Sequence, residues 1–234
     1  MTSSAQPRPL TIAVDATRRV SGLLLAPADA RACYVLAHGA GAGMTHPFMA
    51  AISNACAERG IATLRYQFPY MEQGSRRPDV PSVAHATVRA AVAEAARLLP
   101  GIAMVAGGKS FGGRMTSQAQ AAQPLPDVRG LIFLGFPLHP PKKPSDERGK
   151  HLFDVRIPML FLQGTRDELA DLQLLQRLTE QLGANAALEL FADADHSFHV
   201  PARTGRTDAA VIAEIADKLA AWLSAAILER RTSS

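Results

Sequence analysis

Cysteine is scarce in this chain. Cys33 and Cys56 are the only two among 234 residues. They form no Cys-x-x-Cys pair and share no metal-ligand spacing with histidine, which argues against a disulfide framework and a zinc site. Both lie in apolar stretches and read as buried free thiols. Apolar runs of membrane length are missing as well. The longest candidate, residues 209–228, is broken by Glu214, Asp217 and Lys218 and makes a poor membrane span. Residues 1–10 hold no apolar signal core, so a cytoplasmic protein is expected. Basic stripes are also absent. The net charge is +4, yet the doublets Arg18-Arg19, Arg76-Arg77, Lys142-Lys143 and Arg230-Arg231 are scattered and do not alternate with aromatics, so nucleic acid is not an expected partner. At most, the mildly basic balance favours anionic substrates. The sequence carries no signal for oligomeric state.

What is present is an ordinary globular balance, 47% hydrophobic and 20% charged residues, in a chain long enough for one good core. No linker, repeat or low-complexity tract divides it. The expectation is a single domain over residues 1–234, with flexible tails at about 1–9 and 231–234. Short apolar runs alternate with helical patterns. Strands are expected at 33–37, 61–66, 102–106, 128–134, 158–162 and 187–191. Helices are expected at 45–59, 81–99, 111–122, 169–182 and 207–230. Runs buried on both faces and separated by helices imply a mostly parallel sheet covered on each side, an α/β fold. Residues 11–14 and 20–25 precede the alternation and read as an antiparallel edge hairpin. Residues 136–156 hold Pro137, Pro140, Pro141 and Pro144 and read as a surface loop, too short for a cap domain.

Chemistry enters at Gly108-Lys109-Ser110-Phe111-Gly112, a G-x-S-x-G between a strand and a helix. A sharp turn there lifts the serine oxygen clear of the sheet, and glycines two residues to either side remove side chains that would clash. Serine needs a base to become a nucleophile. His196 follows the last strand, and a loop there points to the Ser110 edge; His199 competes for the role. Asp167 follows the strand at 158–162 and suits the acid that orients the imidazole. A cap for the next helix is its other reading, and Glu168, Asp171 and Asp195 are weaker rivals for the acid. The order Ser110, Asp167, His196 is nucleophile, acid, base. His38-Gly39-Ala40-Gly41-Ala42-Gly43 follows the first strand of the alternation. It offers uncrowded amides for an oxyanion: Ala40, or Gly41, beside the amide of Phe111. His38 there reads as structural.

The motifs HGAGAG, GKSFGG, LQGTRDE and DHSFHVP resemble those of the small α/β-hydrolases without a lid, the dienelactone-hydrolase-like branch. They are more similar still to an uncharacterised hydrolase group that includes testis-expressed and non-specific-lethal-complex subunit relatives. The resemblance spans residue 34 to the C-terminal helix. It implies an α/β-hydrolase fold without a separate cap domain and no cofactor or metal. It assigns Ser110 as nucleophile, Asp167 as acid, His196 as base, and the Ala40 and Phe111 amides as oxyanion donors. Dienelactone hydrolases carry cysteine where this chain has Ser110, which favours an ester or related acyl bond.

The leading expectation is a serine hydrolase of the carboxylesterase or thioesterase type acting on a small-molecule acyl substrate. A non-catalytic binding or scaffold protein on the same fold is the alternative. Nucleotide binding is a poor third: a Walker A loop would need glycine where Ala103 stands, and G-x-G-x-x-G would need it at Met44. Gly41, Phe68, Tyr70, Lys109, Leu138 and Phe198 are candidate substrate contacts, because they lie near the predicted strand ends or beside the nucleophile.

Overall fold

The computed structural model describes residues 6–229. In chain order the strands and helices are β1 (Arg8–Ala13), β2 (Arg19–Leu25), β3 (Ala32–Ala37), α1 (Pro47–Ala57), β4 (Ile61–Tyr66), α2 (Pro69–Glu72), α3 (Pro81–Leu98), β5 (Ala103–Lys109) and α4 (Phe111–Ala122). There follow β6 (Val128–Leu134), β7 (Met159–Gly164), α5 (Leu172–Leu182), β8 (Ala186–Phe191) and α6 (Asp208–Leu223). The eight strands form one sheet in the order β1-β2-β4-β3-β5-β6-β7-β8. β1 and β2 make an antiparallel edge hairpin, β2 pairs antiparallel with β4, and every later pairing is parallel.

Alternation of side chains along the buried strands divides the core in two. Cys33, Val35 and Ala37 of β3 face a layer shared with α3, α4 and α5. Ala32, Tyr34 and Leu36 face the opposite layer, filled from α1 and α6 by residues such as Ile52, Val211, Ile215 and Leu219. Strands buried on both faces require apolar residues at nearly every position, and β3, β4 and β7 are buried throughout. Parallel pairing brings the C-terminal ends of β3, β5, β6, β7 and β8 to one edge. The loops that leave that edge carry every residue of the candidate constellation.

Several expected boundaries move. Arg8 and Pro9, expected in a flexible tail, open β1 and pair with Leu24 and Leu23; residues 1–5 and 230–234 lie outside the described residues. β5 runs on to Lys109, beyond the expected end at residue 106, because Gly107 and Gly108 adopt φ values of 146° and 150° that a side chain would resist. A Cβ at Gly107 would stand 1.9 Å from the Ile132 carbonyl oxygen, and one at Gly108 would stand 2.2 Å from that of Ala37. The expected surface loop at 136–156 is instead anchored inward. Its Phe136 and Leu138 are buried, and a 3-10 segment, Glu147–Asp154, drives Leu152 into the core. The C-terminal helix ends earlier than expected, at Leu223, and passes into one π turn, Ser224–Leu228.

Candidate active site

Ser110 occupies the single residue between β5 and α4, at φ 48° and ψ −116°. A non-glycine residue in that region costs about 1–3 kcal/mol and persists only when its surroundings enforce it. Here the Ser110 N–H donates to the Leu134 carbonyl at 3.2 Å. Gly112 lets the helix approach β3 so closely that a Cβ there would stand 2.5 Å from the His38 carbonyl oxygen. The turn thus presents the hydroxyl at the N-terminus of α4, where the helix dipole is positive.

His196 meets Ser110 from the loop after β8, with Nε2 2.8 Å from Ser110 Oγ. Its Nδ1 lies 2.7 Å from Asp167 Oδ2, in the turn after β7. A carboxylate only accepts, so Nδ1 carries the proton and Nε2 is left to accept from the serine hydroxyl. The Asp167 side chain is fully buried, while that of His196 is 25% exposed. Asp167 does not cap α5; Asp171 does, accepting from the Leu174 N–H at 3.0 Å. Asp167 Oδ1 accepts instead from the Leu169 N–H at 2.8 Å, and its Oδ2 takes a second bond from Gln163 Nε2. The Gln163 Oε1 accepts from the Phe136 N–H at 2.9 Å, tying Asp167 to the end of β6. The rival base, His199, turns outward to Asp208 at 2.9 Å, and that carboxylate raises its pKa. Asp195 is spent on the His196 loop, accepting from the Ser197 and His199 N–H groups.

Lys109 closes the same loop. Its Nζ donates to the His196 carbonyl oxygen at 2.5 Å. The ammonium sits 6.0 Å and 5.7 Å from the ring centroids of Phe48 and Phe198. Burial lowers its pKa to about 8, against the opposing pull of Asp167 and Asp195. Gly135 leaves room for this packing: a Cβ there would stand 3.0 Å from Lys109 Nζ and 3.4 Å from His196 Nδ1.

The loop after β3 is held by side chains from the neighbouring strand and helix. His38 is fully buried; its Nδ1 lies 2.7 Å from the Gly39 carbonyl and its Nε2 accepts from the Phe68 N–H at 3.0 Å. Those partners fix a neutral ring, and burial lowers its pKa to about 4. The Tyr70 hydroxyl donates to the Ala40 carbonyl at 2.8 Å, Gln67 Oε1 accepts from the Met44 N–H at 2.8 Å, and Arg65 donates to the Met44 carbonyl at 3.0 Å. The Ala40 and Phe111 N–H groups have no hydrogen-bond partner among the described residues. Both residues line the cavity that holds Ser110.

Two clefts meet at Ser110, Ala40 and Leu169. One, of about 400 Å³, runs toward Arg114, Met115 and Arg148. The other, of about 390 Å³, runs past Gly41, Phe48, Met49 and Lys109 to His196. Of the candidate substrate contacts, Gly41 and Lys109 line a cleft. Phe68, Tyr70, Leu138 and Phe198 line neither and are buried packing residues. Phe68 sits edge-on to His38 and Phe111, Tyr70 braces the Ala40 loop, and Phe198 stacks on Phe48 at 5.8 Å. Leu169, Gln163 and Gly135 were not foreseen. Leu169 alone had a visible signal, an apolar residue in the turn that carries the acid. Among the described residues, no cluster of three or more His, Cys, Asp or Glu is arranged to hold a metal ion, and no helix is long and apolar enough to cross a membrane.

The fold recurs in solved proteins. A dienelactone hydrolase from Anabaena variabilis superposes with a TM-score of 0.76 at 19% identity, covering 95% of this chain and 98% of its own. An α/β serine hydrolase homologue from Coxiella burnetii gives 0.73 at 18%, covering 92% and 97%. A lid-less α/β serine hydrolase from Xanthomonas campestris gives 0.67 at 22%, covering 83% and 87%. The family model of the alpha/beta hydrolase domain matches residues 30–224. With that match across most of its length, and a sheet and crossover order to suit, the chain belongs to the alpha/beta hydrolase domain family.

Proposed function

We propose that the protein is a serine hydrolase that cleaves an ester-like acyl bond of a small molecule, of the carboxylesterase or thioesterase type. Hydrolase chemistry is what family membership supports. The finer reading rests on one observation: the unbroken hydrogen-bonded line Asp167–His196–Ser110, ending at a hydroxyl with two unpaired amides beside it.

The Ser110 oxygen attacks the substrate carbonyl as His196 Nε2 takes its proton. The imidazolium that results is stabilised by Asp167, whose burial strengthens the pairing. Negative charge on the carbonyl oxygen is met by the Ala40 and Phe111 N–H groups; one such donor is worth roughly 10²–10³ in rate. The bond to the leaving group breaks, and His196 returns its proton to the departing oxygen or sulfur. Water then attacks the acyl-serine as His196 takes a proton from it, the bond from the acyl carbon to Ser110 Oγ breaks, His196 returns that proton to Oγ, and the acid is released. No cofactor is needed for any step.

The test is labelling of the folded protein with a fluorophosphonate probe, followed by peptide mapping. Modification at Ser110, absent in Ser110→Ala, together with loss of esterase activity in that variant, is the expected result. Unlabelled folded protein, or full activity in Ser110→Ala, would instead favour a binding or scaffold role.

A further inference from the structure

The 400 Å³ cleft beside Ser110 has an uneven charge balance. Arg114 lies one turn along α4 from Ser110, its N–H donating back to the Ser110 carbonyl. Arg148 comes from the 3-10 segment Glu147–Asp154 that packs against α4. Both line the cleft, and both are only partly exposed. Among the described residues neither side chain makes an ion pair, and the Arg114 Nε is buried without a hydrogen-bond partner. The one acid on the cleft wall, Asp79, has its Oδ2 engaged by the Tyr70 N–H at 3.1 Å. His85 and His151 feel the same cation: burial first shifts both toward the neutral form, and the Arg114 charge adds to the shift, after that of Arg89 for His85.

A buried donor without an acceptor is costly, and a second guanidinium nearby adds repulsion. Burial first and Arg148 second lower the Arg114 pKa, the direction expected of a cation short of an anion. Planar guanidinium forks match the oxygen pairs of carboxylate and phosphate groups. The rest of the wall, including Pro78, Pro81, Met115 and Leu169, is apolar and would hold the carbon skeleton that carries such a group.

We propose that Arg114 and Arg148 form a subsite for an oxyanion, carboxylate or phosphate, carried by the ester that Ser110 cleaves. The proposal rests on the reading of Ser110 as nucleophile and narrows its substrates to anionic esters.

Two sets of esters test it. The first compares 4-nitrophenyl butyrate with 4-nitrophenyl hydrogen succinate, which puts a carboxylate on the acyl side. The second compares phenyl acetate with its 4-carboxylate and 4-phosphate forms, which put the anion on the alcohol side. At low ionic strength at least one anionic ester is expected to exceed its neutral partner about tenfold or more in kcat/KM, mainly through KM, as charged hydrogen bonds allow. Salt should narrow that ratio. Arg114→Gln and Arg148→Gln should each lower it about fivefold or more, and Arg114→Lys should restore part of it. Neutral esters favoured in both sets, or ratios unchanged in both variants, would overturn the subsite. Arg148 lies outside the central helices, so its variant covers the case in which Arg114→Gln does not fold. If Ser110 takes no fluorophosphonate and no ester turns over, the nucleophile reading fails instead. Equilibrium titration with succinate and with inorganic phosphate then decides the subsite separately: saturable binding weakened in Arg148→Gln supports it, and no binding of either anion overturns it.

Discussion

Two loops at the same sheet edge each carry a histidine, and they are built in opposite ways. The loop after β3 is immobilised by side chains from the interior: both ring nitrogens of His38 are consumed by backbone groups, with Tyr70, Gln67 and Arg65 bracing the residues that follow. The loop after β8 is shaped by its own turn, with Asp195 capping it and Lys109 holding it from below. Its His196 spends one nitrogen on Asp167 and offers the other to Ser110. A histidine with both nitrogens committed to the backbone is a strut; one with a nitrogen facing a hydroxyl has the geometry we propose for a base. His38 bears on the site only indirectly, by holding the Gly39 carbonyl next to Ala40, which lines the same cleft as Ser110.

The most severe way to break this contrast is His196→Ala. It should lower kcat about 10³–10⁴-fold on any ester the protein turns over. The ring is part-exposed, and although its loss leaves the buried Asp167 carboxylate without one partner, the Leu169 and Gln163 bonds remain, so the midpoint of thermal unfolding should fall less than in His38→Ala. His38→Ala should do the reverse. It removes a buried ring and strands the Phe68 N–H and the Gly39 carbonyl, a loss of about 2–4 kcal/mol in unfolding free energy. Its activity should fall less than that of His196→Ala, and through kcat, since the displaced loop carries the Ala40 amide proposed to meet the oxyanion. Urea unfolding and ester kinetics on the two variants measure the crossing directly. A large kcat loss with unchanged stability in His38→Ala would mean that His38 enters the chemistry.

Lys109→Met sharpens the comparison at a lower level. Its Nζ is the tie between β5, which leads to Ser110, and the loop that carries His196. Without it His196 should wander, and kcat should fall about tenfold with little change in KM. The pH dependence carries a separate signature. The Lys109 pKa is lowered to about 8 from an ordinary 10.5 by burial. Between those values the unfolded chain holds a proton that the folded chain has released, so wild-type stability gains a rising contribution with pH. Thermal unfolding between pH 8 and 10.5 should lose that contribution in Lys109→Met. An unchanged slope would show that the lysine ionises as if exposed.

Much of this arrangement was legible in the sequence, and the losses follow a pattern. The strand at Ile61–Tyr66 and the helix at Phe111–Ala122 stand where they were expected, because a run buried on both faces and a glycine turn before a helix are local signals. Ser110, Asp167 and His196 could be named for the same reason: each lies in the connection that follows a strand, and parallel strands deliver those connections to one edge. Side-chain direction was not legible. Phe68, Tyr70, Leu138 and Phe198 sit beside the site in sequence yet point into the core. Gln163 reads as a polar strand end, and its task depends on β6 lying next to β7. The approach of Arg148 to Arg114 depends on a 3-10 segment inside the proline-rich stretch that reads as a surface loop.

The smallest expected effect belongs to the second histidine of the loop after β8. His199 follows His196 by three residues and competes for its role on sequence grounds, yet it faces solvent and pairs with Asp208. His199→Ala should therefore leave kcat/KM within about twofold of wild type, because exposed pairs contribute little. Its pH signature runs opposite to that of His38. Asp208 raises the His199 pKa, first through its hydrogen bond and then through its charge, so the pairing stabilises the fold at pH values below the ordinary histidine pKa and fades as pH rises through the higher folded value. The His38 pKa is lowered to about 4 from 6.5, so its contribution is complete above 6.5 and is lost as acid is added toward 4. Melting curves should show His199→Ala closest to wild type at alkaline pH and furthest from it in mild acid. A kcat loss comparable to that of His196→Ala would transfer the base from one histidine to the other and undo the contrast between a strut and a base.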